Sequence, residues 1–249
     1  MIVALGSVRG APGVTSWTLL LAAAWPSDGD RRRVVLEADP DGGVLGARYG
    51  VGIDPGAITF VTALRRSDKT PFDVDEHGRL LDEHVLLIPG PESPDLARSV
   101  WKDEARPTAI TMALTKEHDW FVDCGRLRID SVSTGFTEFS SLNVIVVGSA
   151  TEDLLQLPPV VRRLEATGGP VAVIVVGKPA HGVDEIGRFL AVDNVYVVPS
   201  SRNLVSDTAA AFRARGGRRS WVWRRAVGVA AELHALAAMS AQPVEVSTT

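Results

Sequence analysis

Leu5-Gly6-Ser7-Val8-Arg9-Gly10-Ala11-Pro12-Gly13-Val14-Thr15-Ser16 separates a short apolar run, Met1 to Leu5, from a longer one, Trp17 to Trp25. The first run suits a buried strand (Ile2 to Leu5) and the second a helix. A Gly-rich turn between the two is the layout of a phosphate-binding loop, in which backbone N–H groups and a helix N-terminus face an anion. The usual form of that loop is G-x-x-x-x-G-K-[ST]. Here Gly6 and Gly13 do not have that spacing, and Val14 stands where the lysine would precede Thr15. Thr15 or Ser16 is expected to cap the helix. The bland alternative is a plain Gly/Pro turn, common between strands and helices.

Working outward, Arg33 to Leu36 is a second strand, stopped by Glu37-Ala38-Asp39-Pro40-Asp41-Gly42-Gly43. Carboxylates at the carboxyl end of a strand lie where α/β sheets place ligands; the plainer reading is an N-cap and solvated turn. From Gly46 to Asp82 the pattern weakens, with one helix near Ala57 to Leu64. His84 to Ile88 is a strand, followed by a helix from Ser93 or Pro94 to about Asp103 and a second from Pro107 to Thr115. Asp119 to Gly125 is a short strand ending in Asp123, Cys124 and a glycine. Asn143 to Val147 and Val171 to Val176 are continuous in Val and Ile, the mark of strands buried on both faces. Between them Glu152 to Ala166 is helical, kinked or restarted at Pro158-Pro159. A helix at Asp184 to Leu190 and a strand at Val195 to Val198 precede helices from Asn203 to Arg215 and Arg219 to Ser240. Alternating strands and helices predict an α/β fold: a doubly wound, mostly parallel sheet with helices on both faces. The domain is expected to be single, residues 1–242, with 243–249 a disordered tail.

With 249 residues, 45% of them hydrophobic and 22% charged, the chain can bury a large core. A formal net charge of −4 gives no global attraction for nucleic acid or anionic lipid. The single cysteine, Cys124, rules out an intramolecular disulfide or a Cys-rich metal site. No signal peptide is read, and no apolar run approaches the roughly 20 residues of a membrane span. A cytoplasmic location is therefore expected.

Three segments, in order, resemble the ParA/MinD group of P-loop ATPases (SIMIBI class), whose deviant Walker A motif reads K-G-G-x-G-K-[ST]. Arg9-Gly10-Ala11-Pro12-Gly13-Val14-Thr15 occupies the same frame, and with Ser16 it is the candidate nucleotide-binding segment. The resemblance puts Arg9 on the family's signature lysine, which reaches the partner subunit's phosphates. It puts Val14 on the lysine that grips the β/γ-phosphates and Thr15 on the Mg²⁺-ligating hydroxyl. Leu36 to Gly42 is similar to the family's I-D-x-D-P-Q-G switch: Glu37 replaces an aspartate, and Asp39 keeps the position that orients the attacking water. Phe121 to Gly125 is similar to the Walker B and second-switch segment, with Asp123 on the Mg²⁺-holding residue. Thr15, Asp39 and Asp123 are thus the implied Mg²⁺ positions. Val176-Gly177-Lys178 stands where an asparagine commonly reads adenine.

The lysine's absence matters because phosphoryl transfer is catalysed mostly by positioning and charge stabilisation. Arg9 is not equivalent to it in geometry. ATP and Mg²⁺ are the implied cofactors, bound weakly or not at all. The reading is a pseudo-ATPase of degraded Walker A, homodimeric, serving as a positioning or regulatory scaffold for a pilus, secretion or partition machine (CpaE/TadZ-like). It would be polar or nucleoid-associated and engage a protein partner without inserting in a membrane. One alternative is a working Mg-ATPase with a variant loop. The other is nonspecific DNA binding through Arg213, Arg215, Arg218, Arg219, Arg224 and Arg225, interleaved with Trp221 and Trp223. A solvated helix end is the plainer account of those arginines.

Overall fold

The computed structural model describes residues 1–9, 12–26, 31–66, 73–114, 117–167, 169–212, 218 and 220–240. Its strands are β1 (Ile2–Ser7), β2 (Arg32–Glu37), β3 (Arg79–Leu80), β4 (Val85–Ile88), β5 (His118–Arg126), β6 (Leu142–Gly148), β7 (Val171–Val176) and β8 (Asn194–Val198). They form one eight-stranded sheet in the order β3-β4-β2-β5-β1-β6-β7-β8. Every neighbouring pair is parallel except β3 with β4, which is antiparallel. The fold class expected from the sequence is the one observed.

The helices divide between the two faces. One apolar core lies beneath α3 (Ala57–Leu64), α4 (Pro94–Leu114), α5 (Thr134–Glu138), α6 (Thr151–Leu154), α7 (Pro158–Glu165) and α8 (Val183–Leu190). On the opposite face α1 (Val14–Ala24), α9 (Leu204–Ala211) and α10 (Trp221–Ser240) share a second core with Val3, Leu5, Val35 and Phe121 of the sheet. The short α2 (Leu45–Tyr49) follows the loop after β2.

The helix α1 carries no charged side chain and has no exposed face. Val14, Trp17, Leu19, Leu20, Leu21, Ala22 and Ala23 are all buried. A helix apolar all round must be covered all round. The sheet covers one side, and α9 and α10 cover the other.

Three sequence expectations change. The helices foreseen on either side of Pro107 are one continuous helix, α4, with Pro107 inside it. Trp101, Ala105, Thr108, Ala109 and Met112 are buried along one side of α4, so tertiary packing outweighs the missing N–H and the ring clash that would otherwise end a helix. The helix α1 starts at Val14 with Gly13 as its N-cap, and no side chain caps it; Thr15 and Ser16 lie inside its first turn. β3 falls in a stretch read as loops, because its two residues are both exposed and carry no alternation. The expected restart at Pro158-Pro159 is seen, with proline in the first turn of α7. The segment 243–249 lies outside the described residues.

Pro107 is exposed on α4, so Pro107→Ala restores a backbone donor without disturbing the core. The variant is expected to gain about 1–3 kcal/mol, less the entropy it returns to the unfolded chain, read as a higher melting temperature.

Candidate functional site

The carboxyl ends of β1, β2 and β5 meet at the loop that precedes α1. Glu37 and Asp123 are register partners on β2 and β5, and the Ala38 amide donates to the Asp123 carbonyl at 2.9 Å. This register brings Glu37, Asp39 and Asp123 together beside Thr15.

Glu37 is 1% exposed and is not a solvated turn carboxylate. Its Oε1 accepts the amides of Val44 at 2.7 Å and Leu45 at 3.0 Å, and its Oε2 accepts the amide of Gly90 at 2.9 Å. One side chain thus caps α2 and ties the loop after β2 to the end of β4. Burial raises its pKa, the three amides pull it back, and the nearby Asp39 charge adds to the rise.

Asp39 is half-buried, and its Oδ1 accepts the Asp41 amide at 2.8 Å. Its carboxyl lies against Gly125, whose φ of +59° and lack of a side chain make the contact fit. Burial raises the Asp39 pKa; the Asp41 amide lowers it, the Asp41 charge raises it, and Arg126 and Arg98 lower it.

Asp123 is fully buried. Desolvation pushes its pKa from 3.8 to about 7, with the charges of Asp39 and Glu37 adding to the rise. Opposing this, the Thr15 hydroxyl favours the anion, as does the Gly125 amide 3.1 Å from Oδ1. The Thr15 interaction does not close a bond of full geometry, and Oδ2 has no hydrogen-bond partner. An orphaned carboxylate oxygen beside a threonine hydroxyl suits a hard divalent cation such as Mg²⁺. Cys124, next in the chain, is buried with its thiol pKa raised by desolvation, an inert environment.

The loop side is less well furnished. Val14 is only 7% exposed and belongs to the core on the α1 face. Gly13, with φ +91°, is covered by Leu204 of α9: a Cβ there would lie 2.6 Å from Leu204 Cδ2. Arg9 is 54% exposed and turns toward Asp153 of α6, at 3.9 Å. Pro12 and Thr15 are half-buried and Ser16 is buried; Gly10 and Ala11 lie outside the described residues. Because no side chain caps α1, its first-turn amides lack the partner a cap would supply. Lys178 is exposed at a cavity of about 360 Å³ between the ends of β7 and β8, shared with Gly177, Val197, Pro199 and Ser200.

The C-terminal arginines are partly used by the fold. Arg225 donates through Nε and Nη2 to the Val197 carbonyl at 3.2 and 3.0 Å. Arg218 lies 3.4 Å from Asp82 and over the Trp223 ring. Arg224 is exposed, and Arg213, Arg215 and Arg219 lie outside the described residues. Among the described residues no helix is long and apolar enough to cross a membrane, and no group of three His, Cys, Asp or Glu side chains has metal-site geometry. The sequence reading missed Arg98, Arg126 and Arg128, which stand next to Asp41 and Asp39; the only signal was two arginines flanking Leu127.

No protein-family model matches the chain, and no curated protein does. Solved structures do. The cell division ATPase MinD of Pyrococcus furiosus superposes with a TM-score of 0.70 at 18% identity, over 94% of this chain and 98% of that one. The septum site-determining protein MinD of Pyrococcus horikoshii, complexed with Mg-ADP, gives 0.69 at 16% identity, over 97% and 99%. A ParA family ATPase of Chlorobium tepidum gives 0.69 at 16%, over 92% and 98%. At these identities the likeness establishes the fold, that of the ParA/MinD ATPases.

Two outcomes follow from the acidic cluster. Glu37→Gln replaces an acceptor with an N–H₂ facing a backbone N–H, and is expected to cost about 2–3 kcal/mol in denaturant unfolding. Between pH 3.8 and about 7, folded Asp123 keeps a proton that the unfolded chain has released. Stability therefore falls as pH rises across that window and levels off above it. Asp123→Asn is expected to flatten the slope and to exceed the wild type above pH 7 by about 1–4 kcal/mol, measured in metal-free buffer.

Proposed function

We propose that this chain is a ParA/MinD-like protein with a degraded phosphate loop, a pseudo-ATPase that acts as a positioning or regulatory scaffold. The observation that carries the reading is Val14. The first residue of α1, where a phosphate-gripping ammonium would stand, is an aliphatic side chain packed in the core. Arg9 does not replace that charge, since its guanidinium faces Asp153. The buried carboxylates and Thr15 remain, so the site keeps the oxygen ligands for Mg²⁺ and lacks the cation for the phosphates.

Without that ammonium, a nucleotide loses a charge-assisted hydrogen bond, and a transferring phosphoryl group loses charge stabilisation of the kind worth about 10²–10³ in rate at other sites. A homodimer joined across this face, docking a protein partner of a pilus, secretion or partition machine, is the scaffold role proposed. Such a protein would be cytoplasmic, either polar or nucleoid-associated.

The oxygen ligands favour a second reading, an active Mg-ATPase that uses Thr15, Asp39 and Asp123 with a variant loop. Nonspecific DNA binding is the third, and the engagement of Arg218 with Asp82 and of Arg225 with the Val197 carbonyl weighs against it. Calorimetry with ATP and ADP, with and without Mg²⁺, separates the first two. The scaffold reading expects a dissociation constant on the order of 0.1 mM or weaker and no turnover. Micromolar binding, with hydrolysis abolished by Asp39→Ala and by Asp123→Ala, would establish the ATPase instead.

A further inference from the structure

Next to the acidic cluster, and apart from the loop before α1, lies a cavity of about 320 Å³. It is lined chiefly by Asp41, Arg98 of α4, Arg126 at the end of β5, and Arg128, Asp130 and Ser131 of the following loop. Three guanidiniums from two separate parts of the chain face one space. Arg98 is neutralised: its Nη2 donates to Asp41 Oδ1 at 2.7 Å. Arg126 and Arg128 have no ion-pair partner among the described residues, and Asp130 is the one other carboxylate of the lining.

The loop that presents them is pinned. Leu127, between the two arginines, is buried against Gly6 of β1. Its amide donates to the Ser7 carbonyl at 2.8 Å, and its carbonyl accepts Arg163 Nη2 at 3.0 Å. Farther along, Ser133 is buried, and its hydroxyl donates to the Cys124 carbonyl at 3.1 Å while meeting Ser131 Oγ at 2.8 Å. The chain therefore holds Arg126 and Arg128 near one another instead of letting the loop carry them apart.

Keeping like charges together costs Coulomb energy that an anion between them recovers. Guanidinium matches the planar or tetrahedral oxygens of carboxylate and phosphate through paired hydrogen bonds. The volume falls within the roughly 300–1,000 Å³ of small-molecule sites, and Asp130 offers an acceptor for a ligand hydroxyl. We infer that this cavity binds a small, multiply charged oxyanion bearing hydroxyl groups, a phosphate ester or a polycarboxylate. The inference does not require a nucleotide at the loop before α1: the lining takes in Pro40 and Asp41 of the segment after β2 and lies beside Asp39, but includes none of Arg9, Val14, Thr15, Asp39 or Asp123.

The test is calorimetry of the full chain, in Mg²⁺-free buffer, with citrate and with glucose 6-phosphate as probes; whichever binds names the class. The wild type is expected to bind one of them saturably, with a dissociation constant on the order of 0.1–1 mM. Arg126→Gln and Arg128→Gln, both at exposed side chains, are each expected to weaken it about tenfold. Arg66→Gln, an exposed arginine elsewhere with the same change of charge, is expected to leave it unaltered. Thermal melts of each variant check that the fold is kept. Absence of saturable binding of both probes would overturn the inference. So would equal affinity in the double variant at Arg126 and Arg128, or an equal loss in Arg66→Gln.

Discussion

The burial of α1 on every side governs the architecture. A helix made of Val14, Trp17, Leu19, Leu20 and Leu21 with Ala22 and Ala23 offers water almost nothing polar. Each large side chain gains roughly 1.5–3 kcal/mol by leaving water. The sheet can take only half of that surface, so α9 and α10 must close over the rest. That closure seats Leu204 on Gly13 and draws Val14 into the core. The setting of Gly13 and Val14 is thus partly a by-product of packing, and the apolar residue at position 14 is consistent with its surroundings.

The electrostatics of the neighbouring strand ends depend on what that packing leaves out. Glu37, Asp39 and Asp123 are gathered by strand register, and each has its pKa raised, by burial first and then by neighbouring carboxylate charge. Glu37 has its charge answered by three amides and acts as a clamp. Asp123 has an oxygen with no answer, the feature that most resembles a ligand waiting for a cation. Residues that look equivalent along the sequence therefore differ in their surroundings: the Glu37 carboxylate is held by three amides, and the Asp123 carboxylate keeps an oxygen without a hydrogen bond.

Much of this was legible beforehand, for physical reasons that differ by element. β6 and β7 were readable because strands buried on both faces must be continuously apolar, and α3 was bounded correctly at both ends. The breaks at Pro158-Pro159 and after Glu37 were readable because proline and glycine act locally. The unity of α4 was not, because what carries the helix past Pro107 is a row of contacts with other parts of the chain. Nor was the start of α1, since Thr15 and Ser16 have the composition of caps but sit two and three residues past the cap position, Gly13. For the candidate site, the motif frame named Asp39, Thr15 and Asp123, and the fold brings these three side by side. The frame gave no hint that Glu37 would reach across to Gly90, or that Arg98, Arg126 and Arg128 would share a cavity: both depend on segments distant in sequence.

The cover over α1 is made last. Its outer face is sealed by α10, about 200 residues farther along the chain, and contacts of such separation form slowly because the loop between them must first be closed. During synthesis from the N-terminus, a nascent chain that has already made α1 and the early strands presents a greasy helix with half its surface bare. A strongly apolar helix is thus connected to its outer cover only through nearly the whole of the sheet. The burial of α1 is therefore tied to the integrity of α9 and α10, which cover the half of the helix that the sheet leaves bare.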